Sequence, residues 1–175
     1  VGIGCRETAP PPQPVVAADP EARWITVEEI AASLPDEPMI VGFDVDDTLL
    51  FSSPGFHYGR QKYGDDFLSH PDKRLKFWAE MNTGLDRFSI PKEVARKLLA
   101  LHTRRGDTIY FITGRTLPDG VDETVTRMLA DYFDLEDPNP VVFSNGAYKK
   151  RFIAAREIEL FYGDGDGDIK GALDA

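Results

Sequence analysis

The pentapeptide Asp44-Val45-Asp46-Asp47-Thr48 places two carboxylates two positions apart. On an extended chain, side chains at i and i+2 point to the same side, so Asp44 and Asp46 lie close together and repel each other. A cation between them, or a proton on one of them, relieves this repulsion, and both arrangements are used in catalysis. A solvated acidic turn is the alternative interpretation of the segment.

The residues around these carboxylates match the needs of phosphoryl transfer, which requires a nucleophile, a proton donor, a cation and donors to the phosphate oxygens. We predict that Asp44 attacks phosphorus as the nucleophile. Asp46 then protonates the leaving alkoxide and activates the water that hydrolyses the aspartyl phosphate. Thr113 and Gly114 offer a hydroxyl and exposed backbone amides to the phosphate.

A second acidic segment, Asp164-Gly165-Asp166-Gly167-Asp168, supplies further carboxylates. Oxygen ligands suit a hard divalent ion, and magnesium is the expected metal. An EF-hand calcium loop is excluded, because its sixth and twelfth positions would be Ile169 and Ala175. Lys149 or Lys150 can pair with the phosphate and the nucleophile, and the residues alone leave this choice open.

Four apolar segments that end in polar residues are predicted to form the strands that position these groups. They cover residues 39–43, 108–112, 140–143 and 158–162. Helices are predicted between them, so the chain forms an open, parallel, Rossmann-like α/β sheet with helices on both faces. The carboxyl ends of such strands share one edge, where ligands bind.

The helix predictions depend on capping residues and apolar spacing. Thr26 and Glu29 form a capping box for a short first helix. Pro91 marks the start of a second helix and Gly106 its end, and residues 121–132 form a third.

A segment of about 40 residues, 49–90, separates the first strand from the Pro91 helix and is rich in aromatic residues. We predict that it forms a small cap insertion, because loops of this length usually carry function. The alternative is that its aromatic residues only hold a surface insertion together.

Composition bounds the function. With 20 Lys and Arg against 30 Asp and Glu, the formal charge is −10, which disfavours nucleic acid as a partner.

Residues 1–23 are rich in proline and are predicted to form a flexible tether, whereas residues 24–175 are predicted to form the domain. Cys5, the single cysteine, excludes an intrachain disulfide and is either a lipid attachment site or a free thiol. No segment of the sequence is apolar for long enough to span a bilayer.

The ordered set Asp44-x-Asp46-x-Thr48, Thr113, Lys149 and Asp164-x-x-x-Asp168 resembles the haloacid dehalogenase superfamily of aspartate-nucleophile phosphatases. More narrowly, five segments between Trp24 and about Asp174 resemble the bacterial class B acid phosphatases. They are GFDVDDTLLFSSPGF at 42–56, FSIPKEVARKL at 88–98, RRGDTIYFITGR at 104–115, NPVVF at 139–143 and FYGD at 161–164.

This resemblance implies a magnesium-dependent, non-specific acid phosphatase of the bacterial periplasm, assembled as a homotetramer. Its substrates would be organic phosphate monoesters such as nucleotides and aryl phosphates. It would also transfer phosphate to alcohols.

The resemblance also implies roles for individual residues. The metal ligands would be Asp44, the backbone carbonyl of Asp46 and Asp164, with Asp168 acting through water. Phosphate would be bound by Thr113, Gly114 and Lys149, with Lys149 preferred over Lys150 for its spacing from Asp164. Phe56 and Trp78 would form an aromatic clamp for the leaving group, and Arg115 would also bind substrate.

The sequence departs from the family pattern in three places. Gly165 and Gly167 replace the usual Ser and Asn of the metal loop, so we expect weaker magnesium binding. The approach to Lys149, residues 144–148, is short. The sequence ends at Ala175, where the family continues with another strand, so we expect the sheet to lack an edge strand. Either the chain is a fragment, or its folding and assembly rely on further contacts.

Two other functions use the same residue types. A non-catalytic or weakly active phosphate-binding or storage protein on this scaffold is one alternative. A receiver-type phosphoacceptor module is another, but it lacks the second acid that Asp46 supplies and has no place for the aromatic insertion.

Overall fold

The structure of the protein is a computed structural model that describes residues 24–175. The predicted tether at 1–23 and the proposed attachment site at Cys5 lie outside the described residues. Within the described range, no helix combines the length and apolar character needed to cross a bilayer. The elements are α1 (Val27–Ser33), β1 (Ile40–Phe43), β2 (Leu50–Phe51), α2 (Ser53–Tyr63), α3 (Pro71–Thr83), β3 (Ile90–Pro91), α4 (Glu93–Arg105), β4 (Thr108–Thr113), α5 (Val125–Phe133), β5 (Val142–Phe143), α6 (Lys150–Ala154), β6 (Leu160–Tyr162) and α7 (Asp166–Leu173).

The main sheet has four parallel strands in the order β5-β4-β1-β6. In its centre, Val41 of β1 pairs with Ile109 of β4 on one side and with Leu160 of β6 on the other. All four predicted strands are present, although β5 and β6 begin two residues later than the apolar segments suggested. The prediction of an open parallel α/β sheet is confirmed.

The side chains of β1 alternate between the two faces of the sheet, and each face is covered by other residues. Val41 and Phe43 are fully buried in the main core, together with residues of α4 and α5 such as Leu99 and Leu129. Gly42 faces the opposite side, where an added Cβ would lie 2.6 Å from the Phe161 ring. Helix α4 contacts both α1 and α5, and α6 packs with α7 beside β6. The helices therefore form a layer on each face.

The predicted insertion begins and ends in a two-stranded antiparallel sheet. Leu50 of β2 pairs with Pro91 of β3, and Phe51 pairs with Ile90. Between these strands lie α2, α3 and a short 3-10 turn at Leu85–Phe88. The insertion has an apolar cluster of its own, formed by Phe67, Phe77, Trp78 and Met81 with Phe56, Tyr63 and Leu85 packed against it. It is therefore a small structured unit joined to the sheet domain by neighbouring strands.

Two helices begin later than predicted. Helix α4 begins at Glu93, because Pro91 belongs to β3, a strand in a two-stranded sheet that tolerates a residue without N–H. Helix α5 begins at Val125 because the segment before it forms a turn, with Val121 N donating to Pro118 O at 3.2 Å. The capping box of α1 is as predicted, with Thr26 and Glu29 each accepting from the other's backbone N–H.

A buried polar cluster lies next to the start of β4, at the edge of the sheet opposite to the predicted site. We call it the Asp107 cluster; it consists of His102, Arg105, Asp107 and Tyr162. The Asp107 carboxylate accepts from Met39 N at 2.8 Å and from Arg105 Nε at 2.9 Å, and lies 2.6 Å from His102 Nδ1. The second ring nitrogen of His102 lies 2.9 Å from the Tyr162 hydroxyl. These contacts satisfy both oxygens of the carboxylate.

Candidate active site

The predicted chemical groups lie at the carboxyl edge of the main sheet. Asp44 directly follows β1, Thr113 is the last residue of β4, and Asp164 follows β6 after one glycine. Lys149 comes after β5 and caps the start of α6. Because the strands are parallel, their ends bring these residues to one edge although they are far apart in the sequence.

Asp44 is buried, with 5% of its surface exposed. Its Oδ1 atom lies 2.5 Å from Lys149 Nζ, and its Oδ2 atom accepts a hydrogen bond from the Thr48 hydroxyl at 3.2 Å. Burial raises the pKa of Asp44 to about 7, although the Lys149 ammonium opposes this shift. Lys149 is buried whereas Lys150 is exposed, so the fold brings Lys149 and not Lys150 to the predicted nucleophile.

Three carboxylates form an acidic group that could hold a metal ion. Asp44, Asp164 and Asp168 each offer an oxygen, and these oxygens lie within 4.8 Å of one another. Lys149 Nζ also lies 2.6 Å from Asp168 Oδ1. Gly163 lets Asp168 lie close to the end of β6, because a Cβ at position 163 would lie only 2.3 Å from Asp168 Cβ. A donor set of carboxylate oxygens fits a hard divalent cation.

The Asp46 carboxylate is held by Arg115 and is not one of these three carboxylates. Arg115 donates from Nε to Asp46 Oδ2 at 2.8 Å and from Nη2 to Oδ1 at 2.7 Å. Burial alone would raise the pKa of Asp46, but the Arg115 guanidinium outweighs burial and lowers it. Asp46 is therefore ionised at neutral pH, with its carboxylate fixed by a bidentate pair.

Arg115 is fully buried, with a carboxylate on each side. Besides Asp46, it contacts Asp86, with Nη1 2.5 Å from Oδ2 and Nη2 3.0 Å from Oδ1. The two carboxylates raise the pKa of Arg115 and keep it charged in spite of burial. Four of its contacts are thus made to protein carboxylates, and a contact of Arg115 with substrate stays a prediction.

The backbone around Gly114 is open to an anion. Gly114 is exposed, and no atom lies within 4 Å of the position that a Cβ would take. The Gly114 carbonyl accepts from Gly146 N at 3.0 Å, which ties this turn to the segment after β5. Next to it, the buried Thr113 hydroxyl accepts from Arg115 N at 3.2 Å and lies 3.5 Å from Asp46 Oδ2. This is an accessible strand end of the kind that binds phosphate.

The two aromatic residues predicted to clamp the leaving group contact each other in the insertion. The rings of Phe56 and Trp78 are 5.8 Å apart in an edge-to-face arrangement. Trp78 is 7% exposed and Phe56 is partly buried, so both contribute to the insertion's apolar cluster. The guanidinium of Arg115 lies 5.7 Å from the Trp78 ring centre. The pair therefore neighbours the site through Arg115.

Sequence reasoning assigned no role to Asp86 or to Lys92, although Lys92 lies within the family-like segment 88–98. Asp86 lies in the 3-10 turn of the insertion and contacts Arg115. Lys92 Nζ donates to the backbone carbonyl of Asp47, next to the predicted acid. Neither residue shows a periodic or spacing signal in the sequence. A buried aspartate in a polar turn can be recognised only from its contacts.

Comparisons with known proteins show which family the chain resembles. Residues 17–174 match the family model of the HAD superfamily, subfamily IIIB (acid phosphatase). The class B acid phosphatase of Salmonella arizonae is 46% identical over 169 residues, which cover 91% of this chain and 69% of the relative. That of Citrobacter rodentium is 46% identical over 167 residues, covering 90% of this chain and 68% of the relative. The strand-end carboxylates, the buried lysine and these matches together lead to one conclusion: the chain belongs to subfamily IIIB of the HAD superfamily, the class B acid phosphatases.

Proposed function

We propose that the protein is a magnesium-dependent, non-specific phosphatase that hydrolyses nucleotides, aryl phosphates and other phosphate monoesters through a phosphorylated Asp44. The observation that carries this proposal is the buried Asp44 carboxylate beside Lys149, next to Asp164 and Asp168 at the open strand edge. The same intermediate would permit transfer of phosphate to alcohols as well as to water.

In the first step, a carboxylate oxygen of Asp44 attacks phosphorus while the bond to the leaving oxygen breaks. Lys149, 2.5 Å from this carboxylate, opposes the effect of burial on its pKa and so favours the ionised nucleophile. It also offsets negative charge as the phosphate approaches. The residues that would hold magnesium are Asp44, the Asp46 carbonyl, Asp164 and Asp168. When bound, the ion supplies positive charge that stabilises the phosphate oxygens in the transition state.

Asp46 is the general acid in the first step and the general base in the second. A phosphate dianion bound next to Asp46 adds like charge, which favours uptake of a proton by the carboxylate, and mildly acidic solution assists this uptake. The carboxyl group then protonates the leaving alkoxide. The resulting carboxylate takes a proton from the water that attacks the phosphorylated Asp44, which releases phosphate and restores the enzyme.

Thr113 and Gly114 would bind the phosphate oxygens through a hydroxyl and backbone N–H groups, at the open turn where Gly114 is exposed. Phe56 and Trp78 would pack against the leaving group, and Arg115 would lie beneath it. These roles would give broad specificity, because the phosphate is recognised by polar groups and the leaving group by apolar contact. A homotetramer in the periplasm stays a prediction from the resemblance. A lipid anchor at Cys5, with a free thiol as the alternative, stays a prediction from the sequence.

The experiment is hydrolysis of p-nitrophenyl phosphate with magnesium at mildly acidic pH by the wild type and the Asp44→Asn variant. We expect the substitution to reduce kcat by at least roughly a thousandfold, because the side-chain amide cannot act as the nucleophile. Asp36→Asn, which removes an exposed carboxylate shortly before the same strand, is the matched control and retains activity. Undiminished hydrolysis by Asp44→Asn would overturn the proposal. A wild type that binds phosphate without turnover would instead indicate a storage protein.

A further inference from the structure

Asp86 belongs to the insertion, yet its carboxylate lies beneath the active site. It is 2% exposed and sits in the 3-10 turn at Leu85–Phe88, just before the chain returns to the sheet domain. Its two oxygens lie 2.5 and 3.0 Å from Arg115 Nη1 and Nη2. On its other side, Arg115 donates hydrogen bonds to the Asp46 carboxylate from Nε and Nη2. A continuous chain of charged groups therefore runs from the insertion to the acid/base.

Asp86 is itself firmly placed. Its Oδ1 atom accepts from the Ser89 hydroxyl at 3.1 Å, and its backbone carbonyl accepts from the Tyr132 hydroxyl of α5 at 3.2 Å. Nearby, the Asn82 side chain donates to the Thr116 carbonyl at 2.8 Å, which ties α3 to the loop after β4. The end of the insertion is thus fixed to the sheet domain on both sides of Arg115.

This placement matters because Arg115 has a long side chain with several rotatable bonds. A carboxylate on one side alone would leave the plane of the guanidinium free to tilt. The second carboxylate, that of Asp86, binds the opposite side of the guanidinium and fixes its plane. It therefore also fixes the two N–H groups that hold Asp46. Arg115 occupies two of the roughly four acceptor positions of the Asp46 carboxylate, and the Thr113 hydroxyl lies 3.5 Å from Oδ2. The Arg115 pair alone therefore does not use up the positions at which a proton or a water can bind.

We propose that Asp86 is a positioning residue for the acid/base: it orients Arg115, and Arg115 holds the Asp46 carboxylate where it can deliver a proton to the leaving oxygen. This inference rests on the proposed function. It assigns the insertion a part in proton transfer in addition to contacts with the leaving group.

The leaving group provides a readout that a merely structural role would not change. An alkoxide is a poor leaving group and needs the proton from Asp46, whereas p-nitrophenolate leaves readily without it. A displaced acid therefore slows an alkyl phosphate more than an aryl phosphate. A general loss of folded enzyme reduces both rates by the same factor.

The experiment compares kcat/KM for glycerol phosphate and for p-nitrophenyl phosphate in Asp86→Asn, at saturating magnesium. Because general acid catalysis contributes about 10²- to 10⁴-fold, we expect kcat/KM to fall about tenfold or more further for glycerol phosphate than for p-nitrophenyl phosphate. Asp65→Asn, which changes an exposed aspartate of the same insertion that pairs with Arg60 at 3.4 Å, should leave the ratio unchanged. An equal fall for both substrates would overturn the proposal.

A double-mutant cycle with Asp46→Asn completes the test. Once the acid is absent, adding Asp86→Asn should leave the ratio of the two substrates unchanged, since nothing remains to be positioned. A further change of the ratio in that background would contradict the proposed path. If Asp86→Asn does not fold, Asp86→Glu, which keeps the charge and moves it by one methylene, is measured in the same way. Failure of the proposed function would instead show as hydrolysis that survives Asp44→Asn.

Discussion

Two polar clusters at opposite edges of the same sheet differ in their balance of charge. In the Asp107 cluster, one carboxylate receives donors from His102, Arg105 and the Met39 backbone. At the carboxyl edge, two cations, Arg115 and Lys149, contact all but the exposed Asp164 of five neighbouring carboxylates. These carboxylates are Asp44, Asp46, Asp86, Asp164 and Asp168.

The pKa shifts of two buried aspartates express this difference. Burial raises the pKa of Asp44 to about 7, because Lys149 only partly compensates for the loss of water. Burial also acts to raise the pKa of Asp107, but its hydrogen bonds with His102, Met39 N and Arg105 outweigh this and lower it. The balanced cluster stabilises the fold. The cluster with excess negative charge is suited to bind cations and to react.

The largest effect that separates the two edges is expected at Lys149. Lys149→Met removes the charge that contacts Asp44 and Asp168 while it keeps most of the side-chain length. We expect kcat/KM for p-nitrophenyl phosphate to fall about 10²- to 10³-fold, as for other groups that stabilise developing charge. Lys150→Met, the exposed neighbour, is the matched control and should change the value by no more than about twofold. Equal losses in the two variants would show that the charge beside Asp44 has no special role.

The next largest effect is stabilisation by magnesium, which should act only at the carboxyl edge. A ligand that binds the folded state at a concentration of 100 times its Kd adds about 2.7 kcal/mol to the free energy of unfolding. We therefore expect Tm to rise with magnesium concentration, as measured by thermal unfolding. Asp164→Asn should abolish this rise because it removes one of the three clustered carboxylates.

Asp166→Asn is the control for the magnesium experiment, since Asp166 is an exposed aspartate of the same segment outside that cluster. It should retain the stabilisation by magnesium. A rise in Tm that persists in Asp164→Asn would place the ion elsewhere.

The smallest effect concerns the Asp107 cluster and should appear in stability. Asp107→Asn replaces a charged acceptor, so we expect the free energy of unfolding to fall by about 2 kcal/mol at neutral pH. Because the pKa of Asp107 is lowered in the folded state, its contribution is present above the ordinary value of 3.8 and is lost as pH falls through the folded value. The difference between wild type and variant in urea unfolding should therefore shrink in acid. A difference that stays constant at every pH would refute this assignment, and kcat should be unaffected.

The parts of the fold that sequence could predict are those with local physical causes. Apolar segments that end in polar residues predicted the four main strands, and Thr26 with Glu29 predicted the start of α1. The edge shared by Asp44, Thr113 and Asp164 followed from the parallel order. Each of these inferences needs only neighbouring residues and a general rule of sheet geometry.

The remaining parts depend on contacts between distant segments. Pro91 looked like the first residue of a helix, but its pairing with Leu50 places it in β3. The sequence alone could not distinguish Lys149 from Lys150, because only the packing of α6 decides which of the two is buried. Asp86 carries no signal at all, since its partner Arg115 is 29 positions away.

The antiparallel pairing of Phe51 with Ile90 has a consequence for how this scaffold could diversify. Because the insertion leaves and rejoins the sheet domain through the paired strands β2 and β3, the residues between these strands can be replaced without moving the rest of the molecule. A different insertion could therefore be grafted between β2 and β3 to change which leaving alcohols the enzyme accepts. Each graft would have to carry its own carboxylate near the position of Asp86, or Arg115 would lose one of its two carboxylate partners.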